Sequence, residues 1–397
     1  MGRVRYARQA LLTSCLAVAL SLLRPPVAAG NGLGSVYVAA PGAGTVTVVD
    51  GIQGAVVTII RVPPAPSLLA YEPSGNSLFV GHAGAGTISR IDTKSESVRA
   101  ELDVGTPVAA LASSPDSRWL WATTAEGGDL IMVNLSAWGV AGRVHIGERV
   151  GAVAVSPDGG QLYVALPEER SIAIVDAASG TISFKIPLAQ TPSGIAVSQD
   201  GRRLYVVGLE APVVHVLSLE RPGPIGTIQL SSRVGALALR PLARELYVTL
   251  PEKQAVAIVD TYRMQTVFEL PVGDAAEQIG FAPDGSRAYV TAGRAPGRLI
   301  IIDPPTRDVL GSVAMGDQPE ALAVSPLLSD AHPVDPVGPP LTVPAKLPRT
   351  GSPLPPWAEP PYPLLAALAL AGVMGWALRQ APPRGNGGGE AHGSPSG

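Results

Sequence analysis

The chain has 397 residues, 15% of them charged, a formal net charge of −3, 45 glycines, 40 prolines and a single cysteine, Cys15. One cysteine excludes a disulfide framework and a thiolate metal centre. A mildly acidic chain with no basic patch argues against nucleic acid as a partner, because phosphate contacts supply most of that affinity.

Residues 1–29 read as a secretory signal peptide. Arg3, Arg5 and Arg8 form a positive end, Ala10 to Leu23 an apolar stretch, and Val27-Ala28-Ala29 a small-residue cleavage site. The alternative is an uncleaved membrane anchor. Leu12-Thr13-Ser14-Cys15 is similar to a lipobox, but the apolar run ahead of it is too short, so Cys15 is read as filler. This segment carries four arginines and no acid, so its removal moves the net charge from −3 to −7.

From residue 30 to 326 the chain repeats. Tyr37, Phe79, Trp121, Tyr163, Tyr205, Tyr247 and Tyr289 stand 42 residues apart without insertion. A period of this length marks a propeller, because one unit cannot cover its own apolar faces and must stack against copies of itself. The fourth copy shows four short strands, LYVAL, SIAIVD, TISFKIPL and GIAVS. Each is rich in β-branched residues and bounded by turn residues. Asp158-Gly159, Asp200-Gly201 and Asp284-Gly285 suit tight turns, since glycine tolerates positive φ. A second landmark is the acid ending the IAIVD strand: Asp50, Asp92, Asp176, Asp260 and Asp303, with Asn134 and Ser218 in the odd copies. A third is the proline after the GIAVS strand, with Gln199 the exception. Continuous apolar runs such as Leu162-Tyr163-Val164 predict strands covered on both faces, and place the aromatic series in the core between blades.

The first copy opens on the LYV-type strand and the last ends on the GIAVS-type strand. The expected fold is therefore an all-β, seven-bladed propeller of four-stranded antiparallel blades, with 319–326 pairing against 35–40 to close the ring. Closure removes an open sheet edge that would otherwise invite aggregation. The SPDGGQLYV and IAIVD segments of copy four, and APDGSRAYVTAG with LIIID in copy seven, resemble the YVTN-type β-propeller family over about residues 31–326. That resemblance implies the fold and leaves function open, because the family does many things.

The loops after the LYV strands and the loops entering the GIAVS strands are expected on one rim. At one phase of the first set stand Glu126, Glu168, Glu210 and Glu252 on four consecutive blades, with Gly42, Gly84 and Arg294 on the others. The second set adds Glu148, Asp274, Glu277, Asp317 and Glu320, alongside Arg149 and Arg233. One reading is a site for a basic partner, an amine or a weakly bound cation such as calcium, because charge of one sign at a concave mouth focuses the field. The plainer reading is a set of solvated loop tips. Arg149 and Arg233 abut the innermost strands and are candidates to meet an anion in the central funnel. His82, His145 and His215 lie 63 and 70 residues apart, out of phase with the repeat, so no metal centre or other cofactor is expected.

Residues 327–346 hold five prolines and read as an extended spacer. Leu347-Pro348-Arg349-Thr350-Gly351 follows, then an apolar segment at about 362–378, then Arg379 and Arg384. The arrangement over 347–397 resembles the LPxTG sorting signal of Gram-positive surface proteins. The resemblance implies a sortase as partner, cleavage between Thr350 and Gly351, transfer of the threonine carboxyl to cell-wall peptidoglycan, and a cytoplasmic tail. The Gly-rich tail after Arg379 departs from the usual short basic one. A plain membrane anchor is the alternative, and either way the propeller faces outward by the positive-inside rule. Together these features predict an exported, surface-anchored propeller that binds a protein or glycan without catalysis. The alternative is a hydrolase of the lactonase type, using Arg149, Arg233, Glu277 or Glu320 at the funnel.

Overall fold

A computed structural model describes residues 34–293, 296–316 and 318–326. The expected signal peptide, spacer, sorting signal and membrane segment lie outside these residues, as do Arg294 and Asp317. Among the described residues no helix is long and apolar enough to cross a membrane.

The described chain forms seven four-stranded antiparallel sheets. Blades 2 to 7 each follow the order of the chain, from an innermost to an outermost strand. Blade 4, for example, runs 153–155, 161–166, 171–176 and 182–187. Blade 1 takes its innermost strand, Ala321–Val324, from the end of the repeat and its other three, Ser35–Ala40, Thr45–Asp50 and Ala55–Arg61, from the beginning. Val36 pairs with Val324 and Ala39 with Ala321. The Glu320 and Ser325 amides extend the ladder to the Ala39 and Ser35 carbonyls. The closing strand is thus shorter than the expected 319–326, but its register continues on both sides.

The core is distributed over the seven junctions between blades. All seven aromatic residues are at most 2% exposed. Alternation explains how one strand serves two neighbours. Trp121 of blade 3 packs with Leu162 and Val164 of blade 4, while Tyr163, between those two, packs with Leu204 and Val206 of blade 5. The last junction follows the same rule: Tyr289 of blade 7 packs with Val36 and Val38 of blade 1. Each such aromatic buries on the order of 150–250 Å², an upper-bound stabilisation of about 4–6 kcal/mol at ~25 cal/mol per Å².

The junction between blades 7 and 1 also carries a specific bond. The Tyr289 hydroxyl donates to the Gly51 carbonyl at 3.1 Å. Burial pushes that hydroxyl up to about 12, so it stays a neutral donor. A Cβ at Gly51 would collide with it, which is why the turn after Asp50 has no side chain there.

The acid landmark is a turn device. Asp50 Oδ1 accepts from the Ile52 and Gln53 amides, Asp92 from Lys94 and Ser95, Asp176 from Ala178 and Ser179, and Asp260 from Tyr262 and Arg263. Asn134 does the same for Ala137 and Ser218 for Arg221. The turns after the innermost strands of blades 3 to 5 use a second device. Ser114, Ser156 and Ser198 donate their hydroxyls to Asp116, Asp158 and Asp200, two residues on.

Candidate functional site: the loop rim and the funnel

The innermost strands of the seven blades stand beside one another around the axis. At one phase they carry Leu69, Leu111, Val153, Ile195, Leu237, Ile279 and Leu322, all partly buried. The funnel wall is therefore largely aliphatic, and its charged groups belong to the loops at its mouth.

Those loops do share one rim. The Ala125 amide donates to the Pro107 carbonyl and the Leu209 amide to that of Thr191, joining a loop after the second strand to the loop entering the innermost strand. Glu126, Glu168, Glu210 and Glu252 all lie on this rim, exposed, on blades 3 to 6. Glu252 sits in a single 3-10 turn, Pro251–Lys253, closed by Gln254 in a left-handed conformation.

Their surroundings differ. Glu210 is clasped, accepting from the Thr191 amide at 2.8 Å and the Thr191 hydroxyl at 2.6 Å. Arg170 of the preceding blade approaches it at 3.8 Å. The Thr191 hydroxyl bond, more than the arginine, holds the Glu210 carboxyl below the usual range. Glu168 faces Arg149 at 3.8 Å. Beside them Lys185 meets Glu169 at 2.7 Å, Lys253 meets Glu269 at 3.3 Å and Arg298 meets Asp274 at 2.9 Å. The rim is thus zwitterionic over blades 4 and 5, where the sequence pointed to a mainly acidic arc. The sequence reading missed Arg170 and Thr191; the clue was that they flank the acid phase in two neighbouring loops.

At the funnel mouth, Arg149 and Arg233 are exposed at the entries to the innermost strands of blades 4 and 6. Glu277 and Glu320 stand two residues further along, at a shared phase on blades 7 and 1. Glu320 is open to solvent, yet enough protein crowds its carboxyl that desolvation raises it.

The three histidines do not meet. His82 is fully buried in blade 2, with Nε2 2.8 Å from the Ser89 hydroxyl and Nδ1 3.2 Å from the Pro64 carbonyl. His145 is exposed beside Asp129 in blade 3, and His215 Nε2 lies 2.7 Å from Gln190 Nε2 in blade 5. Burial lowers the pKa of His82 and of His215. Among the described residues no group of three or more histidines, cysteines or carboxylates is placed to hold a metal.

The family model for YNCE-like beta-propellers matches residues 6–326. This protein belongs to the YNCE-like beta-propeller family. No curated protein matches the chain. Solved structures share the fold at low identity. One is "Dihydro-heme d1 dehydrogenase NirN in complex with DHE", at 16% identity and a TM-score of 0.59, covering 74% of this chain and 76% of that one. A second is the Kuenenia stuttgartiensis hydrazine synthase, at 19% identity and a TM-score of 0.60, covering 66% and 90%. A third is a functionally unknown protein from Desulfotomaculum acetoxidans DSM 771, at 14% identity and a TM-score of 0.65, covering 74% and 99%. At these identities the likeness is one of architecture. The function of this YNCE-like propeller must be argued from its own residues.

Proposed function

We propose that this YNCE-like propeller is exported and held at the outer face of a Gram-positive-type cell, where the loop rim over blades 3 to 6 binds a protein or glycan without catalysis. The observation that carries the reading is the charged bridge between blades: Arg170 to Glu210, flanked by Arg149 with Glu168 and by the exposed Glu126, Glu252 and Arg233. Loops fixed to a rigid ring, presenting both signs of charge in a set order, favour a complementary partner and select against others. The address comes from the sequence. The LPRTG motif at 347–351 supports transfer by a sortase to peptidoglycan, and the apolar segment at about 362–378 supports transient or lasting membrane contact.

The test combines localisation with binding. Cell-wall fragments from a producing strain should contain this chain ending at Thr350 by mass spectrometry. The Glu168→Gln, Glu210→Gln double variant should lose partner capture on a panel of immobilised glycans and surface proteins, with its melting temperature unchanged. Capture that is equal in wild type and variant would remove the rim from the reading. Turnover of a lactone panel that disappears in Arg149→Ala would replace binding with hydrolysis at the funnel. A calcium titration followed by thermal melting tests whether the unclasped carboxylates hold a cation, since a ligand of the native state raises the melting temperature.

A further inference from the structure

The rim opposite the loop rim carries the turns after the innermost strands. On blades 3, 4 and 5 the turn begins Ser-x-Asp: Ser114 and Asp116, Ser156 and Asp158, Ser198 and Asp200. Blades 2 and 7 keep part of the turn, as Glu72-Pro73-Ser74-Gly75 and Ala282-Pro283-Asp284-Gly285, and blade 6 keeps only its proline. Arg240 stands where the serine does, Leu242 where the aspartate does and Ala243 where blades 4 and 5 have Gly159 and Gly201. Leu242 is held at φ 58° and is 83% exposed. A left-handed leucine costs about 1–2 kcal/mol, and its exposed side chain gains nothing from burial. The one copy lacking the proline of this turn is blade 5, which has Gln199. The two departures meet, because the Leu242 amide donates to Gln199 Oε1 at 3.2 Å. Local rules broken together, with no gain in packing, mark a functional place.

A pocket of about 380 Å³ opens at this point between blades 5 and 6. Four of its lining residues are arginines, Arg202, Arg203, Arg240 and Arg244, and its one acid is Asp200. Arg202 faces Glu220 at 3.0 Å and Arg240 is bound to Glu245 at 2.8 Å. The Arg203 guanidinium donates to the Thr261 carbonyl, at 2.8 Å, with the Asp200 carboxylate nearby. Arg244 stacks on the Tyr262 ring, 5.5 Å from its centroid, and forms no ion pair among the described residues. Two guanidinium groups therefore keep fork positions open to an oxyanion. Tyr262 is itself 72% exposed, so it remains open to a ring-shaped ligand.

We propose that this pocket binds an anionic sugar, a sugar-sized ring carrying a carboxylate or a phosphate ester. Arg203 and Arg244 take the oxyanion, Tyr262 supports the ring, and the volume falls in the range of small-ligand sites, roughly 300–1,000 Å³. The site lies on the rim opposite the one invoked for partner binding and does not depend on it.

The experiment is calorimetric titration of the full chain with glucuronate, with glucose 6-phosphate and with glucose. At least one of the two anions should bind saturably, more weakly as salt is added, while glucose does not bind. Whichever anion binds more tightly identifies the source of the charge. Arg244→Ala should weaken that binding roughly tenfold, as expected for one charge-assisted contact, and Tyr262→Ala should weaken it too. Both residues are at the surface, so an unchanged melting temperature will show that each variant is folded. Arg149→Ala, on the other rim, should bind like the wild type. Absence of saturable binding by both anions, equal binding of glucose, or an Arg244→Ala variant with wild-type affinity would each overturn the proposal.

Discussion

Blades 4 and 1 are the same object made in two ways. Blade 4 is one segment, from Val153 to Pro187. Blade 1 joins Ala321–Val324 to a segment ending at Arg61. Both have four antiparallel strands and both bury their central strand completely but for the first residue of blade 4's. The difference lies in how the sheet edge is held. In blade 4 the innermost strand is tethered to its neighbour by a five-residue turn, 156–160, and its three register pairs are extended by the Ser156 amide on the Gln161 carbonyl and the Ala165 amide on the Ala152 carbonyl. In blade 1 that tether is absent. The seam has four register pairs, a further amide bond at each end, and the Tyr289 to Gly51 bond at the adjoining blade junction. The seam thus makes a ladder like that of a tethered blade, where blades 2, 3 and 5 have five register pairs, but has no turn to hold its two strands together.

The strongest way to break this symmetry is to remove residues 319–326. Strand 35–40 would lose its ladder partner and the ring its last junction. We expect loss of cooperative melting by circular dichroism, because the change consumes most of a stability of about 5–15 kcal/mol. A truncated chain that melts like the intact one would contradict the closure. Next in size is Tyr163→Ala, which empties a junction within the continuous part of the ring. It should cost about 3–5 kcal/mol in denaturant unfolding. Gly51→Ala acts at the seam by a different route, forcing a methyl against the Tyr289 hydroxyl, and should cost about 1–3 kcal/mol. Tyr289→Phe should relieve that clash, so the double variant should recover part of the loss. Failure to do so would separate Gly51 from Tyr289.

The smallest effect is acid sensitivity of the turns in the continuous blades. The Ser95 amide above all holds the Asp92 carboxyl low, the Ser156 hydroxyl holds that of Asp158, and the Ser179 amide holds that of Asp176. A carboxyl with a depressed folded pKa stabilises the protein above its unfolded value, near 4. That contribution is lost as the pH falls through the folded value. The melting temperature should therefore drop below about pH 4, and the triple Asn variant should show a shallower drop, since Asn still accepts the turn amides but does not titrate. Parallel curves would exclude these three groups.

The ring was legible in the sequence because its physics is periodic. A residue buried at every junction must recur at every repeat, so Tyr37 to Tyr289 announce the number of blades, and the phase of the first and last strands announces the seam. The turn acids were equally visible as a pattern. Their role as acceptors for amides two and three residues on needed only local geometry. What could not be read was side-chain pairing between loops of different blades. Arg170 is 40 residues from Glu210, and nothing periodic demands that they meet. The expectation of an acidic arc failed to anticipate charge alternation over blades 4 and 5 for that reason. The blade 5 and 6 pocket had a readable sign, Arg240-Pro241-Leu242-Ala243 in place of Ser-Pro-Asp-Gly, but a departure from a repeat gains meaning only when a second one lies against it.

The pairing of Val36 with Val324 has a consequence for the nascent chain. Translation delivers the strand at 35–40 first and its partner last, so nearly the whole domain must emerge before the ring can lock. Contacts this distant in sequence slow folding. Until release, the early strand waits with a bare edge, and a cell making this protein must shield that edge for the length of its synthesis.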